Sequence, residues 1–331
     1  MFILPSSLII GAGMAGLTAA RELTAQGWDV AVLDKGRGIG GRMATRRIER
    51  ATFDHGAPCF SAKTPAFRQV VNQLMTDGII NEWYPHKPYA TGAAVIEPDD
   101  DRRYMGATSI NSVAKALASG LTVRTNERVV EISLGGGGWL AQTEAGNAYR
   151  ADALLITIPA PQALTLVQDS GLKLDSTVLA ALSAIVYQPC LSVMVVLNQP
   201  SRMPAPGAVR YQTGDVSWVV DNQQKGISPD QPSVVIQASP AFSRTHLEGD
   251  LTAVGQELTN RMREWIPAGA VETIQVHRWR YSLATERHPE PFLVAKAELP
   301  LLFGGDGFGA GNVEGAYTSG LRMAEFLGSR P

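Results

Sequence analysis

The residues best suited to chemistry stand near the start of the chain, where Gly11-Ala12-Gly13-Met14-Ala15-Gly16 follows the apolar run Leu8-Ile9-Ile10. This spacing lets a backbone leave a strand, pass close to a pyrophosphate and enter a helix. Gly11 permits the tight turn, Gly13 keeps a Cβ out of the ligand's way, and Gly16 lets the helix pack against the sheet. A helix is expected over 17–26. Its N-terminus, with Met14 and Ala15 leading into it, would meet phosphate charge with unpaired N–H groups and the positive end of its dipole. Asp34 closes a second apolar strand, expected over 28–34, about twenty residues further on, where a carboxylate takes a ribose hydroxyl. The turn by itself leaves NAD, NADP and FAD open.

Two further glycine clusters narrow the choice. The first, Asp34-Lys35-Gly36-Arg37-Gly38-Ile39-Gly40-Gly41-Arg42-Met43, comes directly after the second strand. The other, Phe303-Gly304-Gly305-Asp306-Gly307-Phe308-Gly309-Ala310-Gly311-Asn312-Val313-Glu314-Gly315-Ala316, reads as a strand ending in Gly-Asp, a turn, and a helix over 313–326. Together with the turn they resemble the flavin amine oxidase superfamily, which also holds desaturases and Rab GDP-dissociation inhibitors. The resemblance implies FAD. It implies that Lys35, Gly41, Arg42 and Met43 run along the cofactor, with the Arg42 guanidinium placed to meet phosphate or flavin oxygens; a solvated loop is the alternative reading of that arginine. It also implies that Asp306, after Gly305, binds the ribityl chain, and that the helix N-terminus at Val313, Glu314 and Gly315 points at the flavin N1 and C2 carbonyl. Reduced flavin carries negative charge there, which such a terminus stabilises.

The elements that must position these groups belong to a chain of ordinary make-up. At 331 residues it exceeds what one core usually fills, so two lobes are expected. A hydrophobic share of 45% against 18% charged residues fits a globular protein. The net charge of −2 gives no support to nucleic-acid binding or to docking on an acidic membrane. The start, Met1-Phe2-Ile3-Leu4-Pro5, has no basic stretch and runs straight into the nucleotide strand, so a cytoplasmic protein is expected. Cys59 and Cys190 lack the spacing of a metal site or a disulfide framework, and no metal is expected. The run 176–201 has no charged residue, but Gln188-Pro189 interrupts it. It reads as a core helix over 178–185 and a buried strand over 191–197, not a membrane span.

Along the chain, Thr64-Pro65 opens a helix with Phe67, Val70, Val71 and Leu74 on one face, stopping at Asp77-Gly78. A second helix is expected over 109–118. Strands are expected over 122–123, 127–133, 139–143 and 153–158, with Gly135 to Gly138 as a hairpin turn. A helix over 162–167 follows, then strands around Leu191, Ser217 and Val234 and a long helix over 251–266. The expected fold is α/β: a Rossmann-type FAD-binding domain of the glutathione reductase-like kind, with amine oxidase or p-hydroxybenzoate hydroxylase topology, and an inserted α+β substrate domain. The FAD-binding domain is assigned to 1–75, 105–160 and 280–331, the substrate domain to 76–104 and 161–279.

More closely, the chain resembles the renalases and bacterial renalase-like flavoproteins. Phe53-Asp54-His55-Gly56-Ala57-Pro58-Cys59-Phe60 looks like that family's flavin-edge segment, which places Gly56 and Ala57, with Val129 elsewhere, at the cofactor. Trp218-Val219-Val220-Asp221-Asn222-Gln223-Gln224-Lys225 and His277-Arg278-Trp279-Arg280-Tyr281-Ser282 resemble segments of the substrate lobe. Cys59 departs from the aromatic often found there, and Asp34 replaces a commoner glutamate. The resemblance implies oxidation of the 2- and 6-dihydro isomers of NAD(P)H to NAD(P)+, with O2 reoxidising the flavin to give hydrogen peroxide. Trp279 and Tyr281 are the expected pocket walls, with His277 and Arg278 near its mouth and Phe60 along the flavin face. Since 288–298 contains no cysteine, the FAD is expected to be noncovalent. An amine oxidase or other small-molecule flavin oxidase remains open, although Lys173 and Lys225 read as residues of polar loops. So do a desaturase and, from another class, a non-enzymatic dinucleotide-fold binding protein.

Overall fold

The computed structural model describes residues 4–83 and 102–329. Part of the expected substrate piece 76–104 therefore lies outside the described residues. Two compact units share the chain: one comprises Met1–Gly41, Ala114–Val186 and Ala284–Pro331, the other Arg42–Val113 and Tyr187–Leu283.

The first unit is built on a six-stranded sheet. Its order is Phe292–Ala295, Leu301–Gly304, Ala153–Ile156, Ser6–Ile10, Asp29–Leu33 and Thr122–Arg124. All neighbours run parallel except the first two. Leu8, Ile9, Leu155, Ile156, Leu301 and Leu302 are all but inaccessible, as strands covered on both faces require. The helix Met14–Ala25 follows the first strand, and the closing helix Asn312–Gly328 lies so close to it that a Cβ on Gly320 would stand 2.2 Å from the Ala15 carbonyl oxygen. This is the doubly wound, dinucleotide-binding arrangement expected. A three-stranded antiparallel sheet of Ala148–Ala151, Gly138–Thr143 and Val129–Gly135 completes the unit. Its hairpin turns through Gly136 and Gly137, both at positive φ (60° and 80°), as a two-residue I′-like turn demands.

The second unit centres on a five-stranded sheet, ordered Ala208–Arg210, Val216–Asp221, Ser233–Ala238, Val186–Leu197 and Val271–Glu286. One face packs Val193, Val195 and Ile236 against Val254 and Leu258 of the helix Leu251–Arg261 and Phe242 of the helix Pro240–His246. The other face packs Met194, Val196 and Val235 on Ile48, Ala51 and Phe53 of the hairpin Thr45–Ile48 and Ala51–Asp54. A small sheet of Phe60–Ser61, Arg103–Gly106 and Ile80–Glu82 adjoins the helix Pro65–Thr76.

The units divide the chain elsewhere than the expected domains. Residues 42–75 join the second unit because their hairpin has an apolar side that the five-stranded sheet buries. Residues 161–186 join the first, where the Ser170 hydroxyl receives the Ile132 N–H at 2.9 Å. The uncharged run resolves into the helix Ser176–Ser183 and the strand Val186–Leu197, and among the described residues no helix is long and apolar enough to cross a membrane. The helix Leu251–Arg261 stops short of its expected end at 266, Met262 already taking a non-helical conformation.

Candidate functional site

In the first unit the dinucleotide turn is fixed by packing. The Gly11 N–H bonds the Leu33 carbonyl at 2.8 Å, and the Thr157 hydroxyl donates to the carbonyls of Ile10 and Gly11. A Cβ on Gly16 would lie 1.9 Å from the Gly11 oxygen, whereas one on Gly13 would meet nothing within 4 Å. Gly13 is thus open on the side where a ligand can approach. No side chain caps the helix that begins at Met14, so its first N–H groups remain available to an anion. Ala15 is buried beside them.

Asp34 does more than wait for a ribose. One carboxylate oxygen accepts the Ala12 N–H and the other the Gly36 N–H, both at 2.7 Å, so it ties the first glycine turn to the second. Each oxygen retains a lone pair for a hydroxyl. The Gly40 N–H, bonded to the Ala12 carbonyl at 2.8 Å, adds a second tie just before Gly41, while Lys35 is exposed. At the other end of the chain, the Gly305 N–H bonds the Ser319 hydroxyl at 2.8 Å, and Asp306 is half-buried beside it. The closing helix starts after Gly311, again with no side-chain cap, and Val313 and Glu314 lie half-buried in its first turn ahead of buried Gly315. Val129 is half-buried at the start of its strand.

In the second unit, the segment 42–44 lies along 55–57. The His55 N–H bonds the Ala44 carbonyl at 3.2 Å and the Ala57 N–H bonds the Arg42 carbonyl at 2.9 Å. Gly56 has no room for a side chain, since its Cβ would stand 2.0 Å from the Arg42 oxygen and 3.4 Å from the Trp279 ring. The Arg42 guanidinium donates to the carbonyls of Tyr281 and Ser282 at 3.2 and 3.3 Å and lies 5.5 Å from the centre of the Tyr187 ring. Met43 is buried, its carbonyl accepting the Asn111 amide at 3.2 Å.

His277, Trp279 and Tyr281 alternate along Val271–Glu286 and so share one face of that strand. The rings of His277 and Trp279 meet edge-on at 4.3 Å. His55 stacks on Trp279 at 5.3 Å and meets His277 edge-on at 4.8 Å. The Trp279 indole N–H donates to the His55 carbonyl at 2.9 Å, and Tyr187 meets Tyr281 edge-on at 5.9 Å. Burial, then the nearby His277 and Arg46, lowers the His55 pKa to about 3, and burial with Arg46 lowers that of His277 to about 4. Both imidazoles are therefore neutral at pH 7. The structure brings three of the expected residues together and places Phe60 elsewhere: it is 4% exposed and packs on Phe67 and Tyr104 at 6.0 and 5.8 Å, in the small-sheet core. Arg278 also differs from expectation. Alternation turns it to the opposite face, where its guanidinium bonds the Gly249 carbonyl at 3.4 Å.

Sequence reasoning passed over several residues of this region. Lys225, read as part of a polar loop, is fully buried and bonded to Asp54 at 2.7 Å. The Asn222 side chain is wholly buried, and among the described residues its amide has no hydrogen-bond partner; nor has His55 Nδ1. An unpaired buried amide is costly. The available signal was the Asp221-Asn222 pair ending a β-rich stretch.

Comparison with known proteins gives this geometry a family. A model of the NAD(P)-binding Rossmann-like domain matches residues 9–74, and a model of the flavin containing amine oxidoreductases matches residues 92–327. The second match spans well over half of the sequence, and the chain belongs to the flavin containing amine oxidoreductase family. Renalase of Mus musculus is 27% identical over 350 residues, covering 97% of this chain and 98% of that protein. The structure of wild-type putrescine oxidase bound to putrescine aligns with a TM-score of 0.72 at 15% identity, covering 99% of this chain and 100% of that one, a likeness of fold. The cofactor is FAD and the class a renalase-like flavin oxidoreductase. The first unit fits that cofactor: two uncapped helix N-termini, an open approach at Gly13, and carboxylates at Asp34 and Asp306.

Proposed function

We propose that this protein oxidises dihydropyridine dinucleotides, the 2- and 6-dihydro isomers of NAD(P)H, to NAD(P)+. The observation behind this reading is the row of His277, Trp279 and Tyr281 on one strand face, backed by His55 and Tyr187, with the guanidinium groups of Arg42 and Arg46 beside it and no carboxylate among its own residues. Flat aromatic walls suit a planar, uncharged ring and offer an amine no carboxylate. The likeness to mouse renalase over nearly the full length of both chains supports the same reading. When bound, FAD supplies a hydride acceptor at N5 and passes the electrons to O2, giving hydrogen peroxide.

A dihydropyridine gives up hydride without a base or a nucleophile, so the residues of the row have to bind, orient and exclude water. Trp279 is the orienting wall, its indole fixed by the bond to the His55 carbonyl. Tyr281 is the second wall, held edge-on by Tyr187. His277, being neutral, can exchange a hydrogen bond with a carboxamide without attracting a cation. Asp34 and Asp306 would hold the ribose and ribityl hydroxyls of the cofactor, and the two uncapped helix N-termini would meet its pyrophosphate and its flavin end. The FAD is held noncovalently. Oxygen uptake tests the reading: a borohydride-generated mixture of NADH isomers should drive O2 consumption with hydrogen peroxide formed in equal amount, and ordinary 4-dihydro NADH should drive far less. Equal rates with both donors would count against it.

A further inference from the structure

Three backbone carbonyls in 55–58 are each held by a side chain from a distant part of the second unit. The His55 carbonyl receives the Trp279 indole at 2.9 Å, the Gly56 carbonyl the Gln237 amide at 2.6 Å, and the Pro58 carbonyl the Lys225 ammonium at 2.6 Å. The last of these is unlike the others because it is a charge. Lys225 Nζ also lies 2.7 Å from Asp54 Oδ2 and 5.2 Å from the centre of the Trp83 ring, and both charged side chains are 0% exposed. The other carboxylate oxygen of Asp54 accepts the Thr45 hydroxyl at 2.7 Å and the Ile110 N–H at 3.0 Å. Thr45 in turn receives the Asn111 N–H at 3.3 Å, and the Asn111 amide bonds the Met43 carbonyl. One buried carboxylate therefore joins the residues after Arg42, the start of the helix Asn111–Ala118 and, through Lys225, the loop at Pro58.

Burying an ammonium and a carboxylate costs several kcal/mol of desolvation, and apolar residues of equal volume often stabilise a fold as well or better. A buried pair of this kind can define a geometry without adding stability. We propose that Lys225 and Asp54 are positioning residues for the oxidase site, the ammonium fixing the Pro58 carbonyl and with it the segment that carries His55 and orders Trp279. Neither touches the substrate. This inference rests on the function proposed above and concerns a pair of residues that the sequence places 171 positions apart.

The test is a double variant, Asp54→Asn with Lys225→Met, which removes both charges together and leaves no buried charge unpaired. It should fold and bind FAD as the wild type does. Its flavin, mixed anaerobically with the 6-dihydro isomer, should be reduced at least about tenfold more slowly at saturating donor, with the half-saturating concentration changed less than about threefold, because orientation and not affinity is lost. The visible circular dichroism of the bound FAD should change too, and that reading needs no donor. Lys225→Met alone should lower the melting temperature below that of the double variant, since it strands Asp54. A double variant that keeps both the wild-type reduction rate and the wild-type dichroism overturns the proposal, and so does one that cannot fold or hold FAD, since the pair would then serve the fold. If the wild type itself is not reduced by the isomer, the substrate reading fails and the dichroism alone decides the role of the pair.

Discussion

His55 stabilises the fold only while the unfolded chain also leaves it neutral. Its folded pKa, lowered to about 3, lies below the ordinary 6.5, so between these values the unfolded state binds more protons. Its contribution is complete above pH 6.5 and is lost as pH falls towards 3. For a side chain 5% exposed the loss at pH 5 is roughly 2 kcal/mol, and the more open His277 adds less. Urea midpoints should therefore drop between pH 7 and pH 5, and a His55→Gln variant should show a flatter dependence; equal slopes would mean that His55 titrates normally. Trp279 lends itself to a kinetic test. Trp279→Ala should slow anaerobic flavin reduction by at least about tenfold, the roughly 1.4 kcal/mol that one orienting contact supplies, with the flavin spectrum nearly unchanged. A large spectral change with intact rates would assign the indole to the cofactor and not to the donor. Asp306→Ala should weaken FAD binding by roughly 1 to 3 kcal/mol in a direct titration, the cost of losing charge-assisted bonds. Unaltered affinity would show that the closing motif holds some other group.

At the scale of elements, the turn between the first strand and the helix Met14–Ala25 separates packing from binding. Gly16→Ala would press a methyl into the Gly11 carbonyl and should lower both the melting temperature and FAD affinity. Gly13→Ala meets no protein atom, so it should melt near the wild type while losing FAD affinity. Two variants with the same profile would mean that Gly13 faces no ligand. The elements of the first unit were legible because their signals are local: apolar runs, glycine turns and helix ends within about thirty residues of one another. Gly136 and Gly137 announced their hairpin for the same reason. The hairpin Thr45–Ile48 and Ala51–Asp54 read as part of the nucleotide lobe because it follows the second glycine cluster, and its true neighbours, Met194, Val196 and Val235, lie far along the chain. Lys225 misled in the same way. A lysine between Gln224 and Gly226 looks solvated until Asp54 is brought to it, and no local pattern records that meeting. The alternation of His277, Trp279 and Tyr281, by contrast, was visible, while the ring partners His55 and Tyr187 come from other strands or loops and were not.

At the scale of the whole molecule, each unit is assembled from separated stretches of chain, and only the first has the glycine turns of a dinucleotide fold. FAD should therefore act as a folding ligand. Stripping it should lower the melting temperature, and re-adding it should restore stability by about 1.4 kcal/mol for each tenfold of free FAD above its Kd. A melting temperature indifferent to FAD would contradict a bound flavin in the native state. The donor decides the rest. The central measurement is stopped-flow flavin bleaching under anaerobic conditions, with separated 2- and 6-dihydro isomers of NADH run beside ordinary NADH, putrescine and benzylamine. The account predicts rapid bleaching by at least one isomer, far slower bleaching by ordinary NADH and none by the amines; rapid bleaching by an amine with none by the isomers would contradict it.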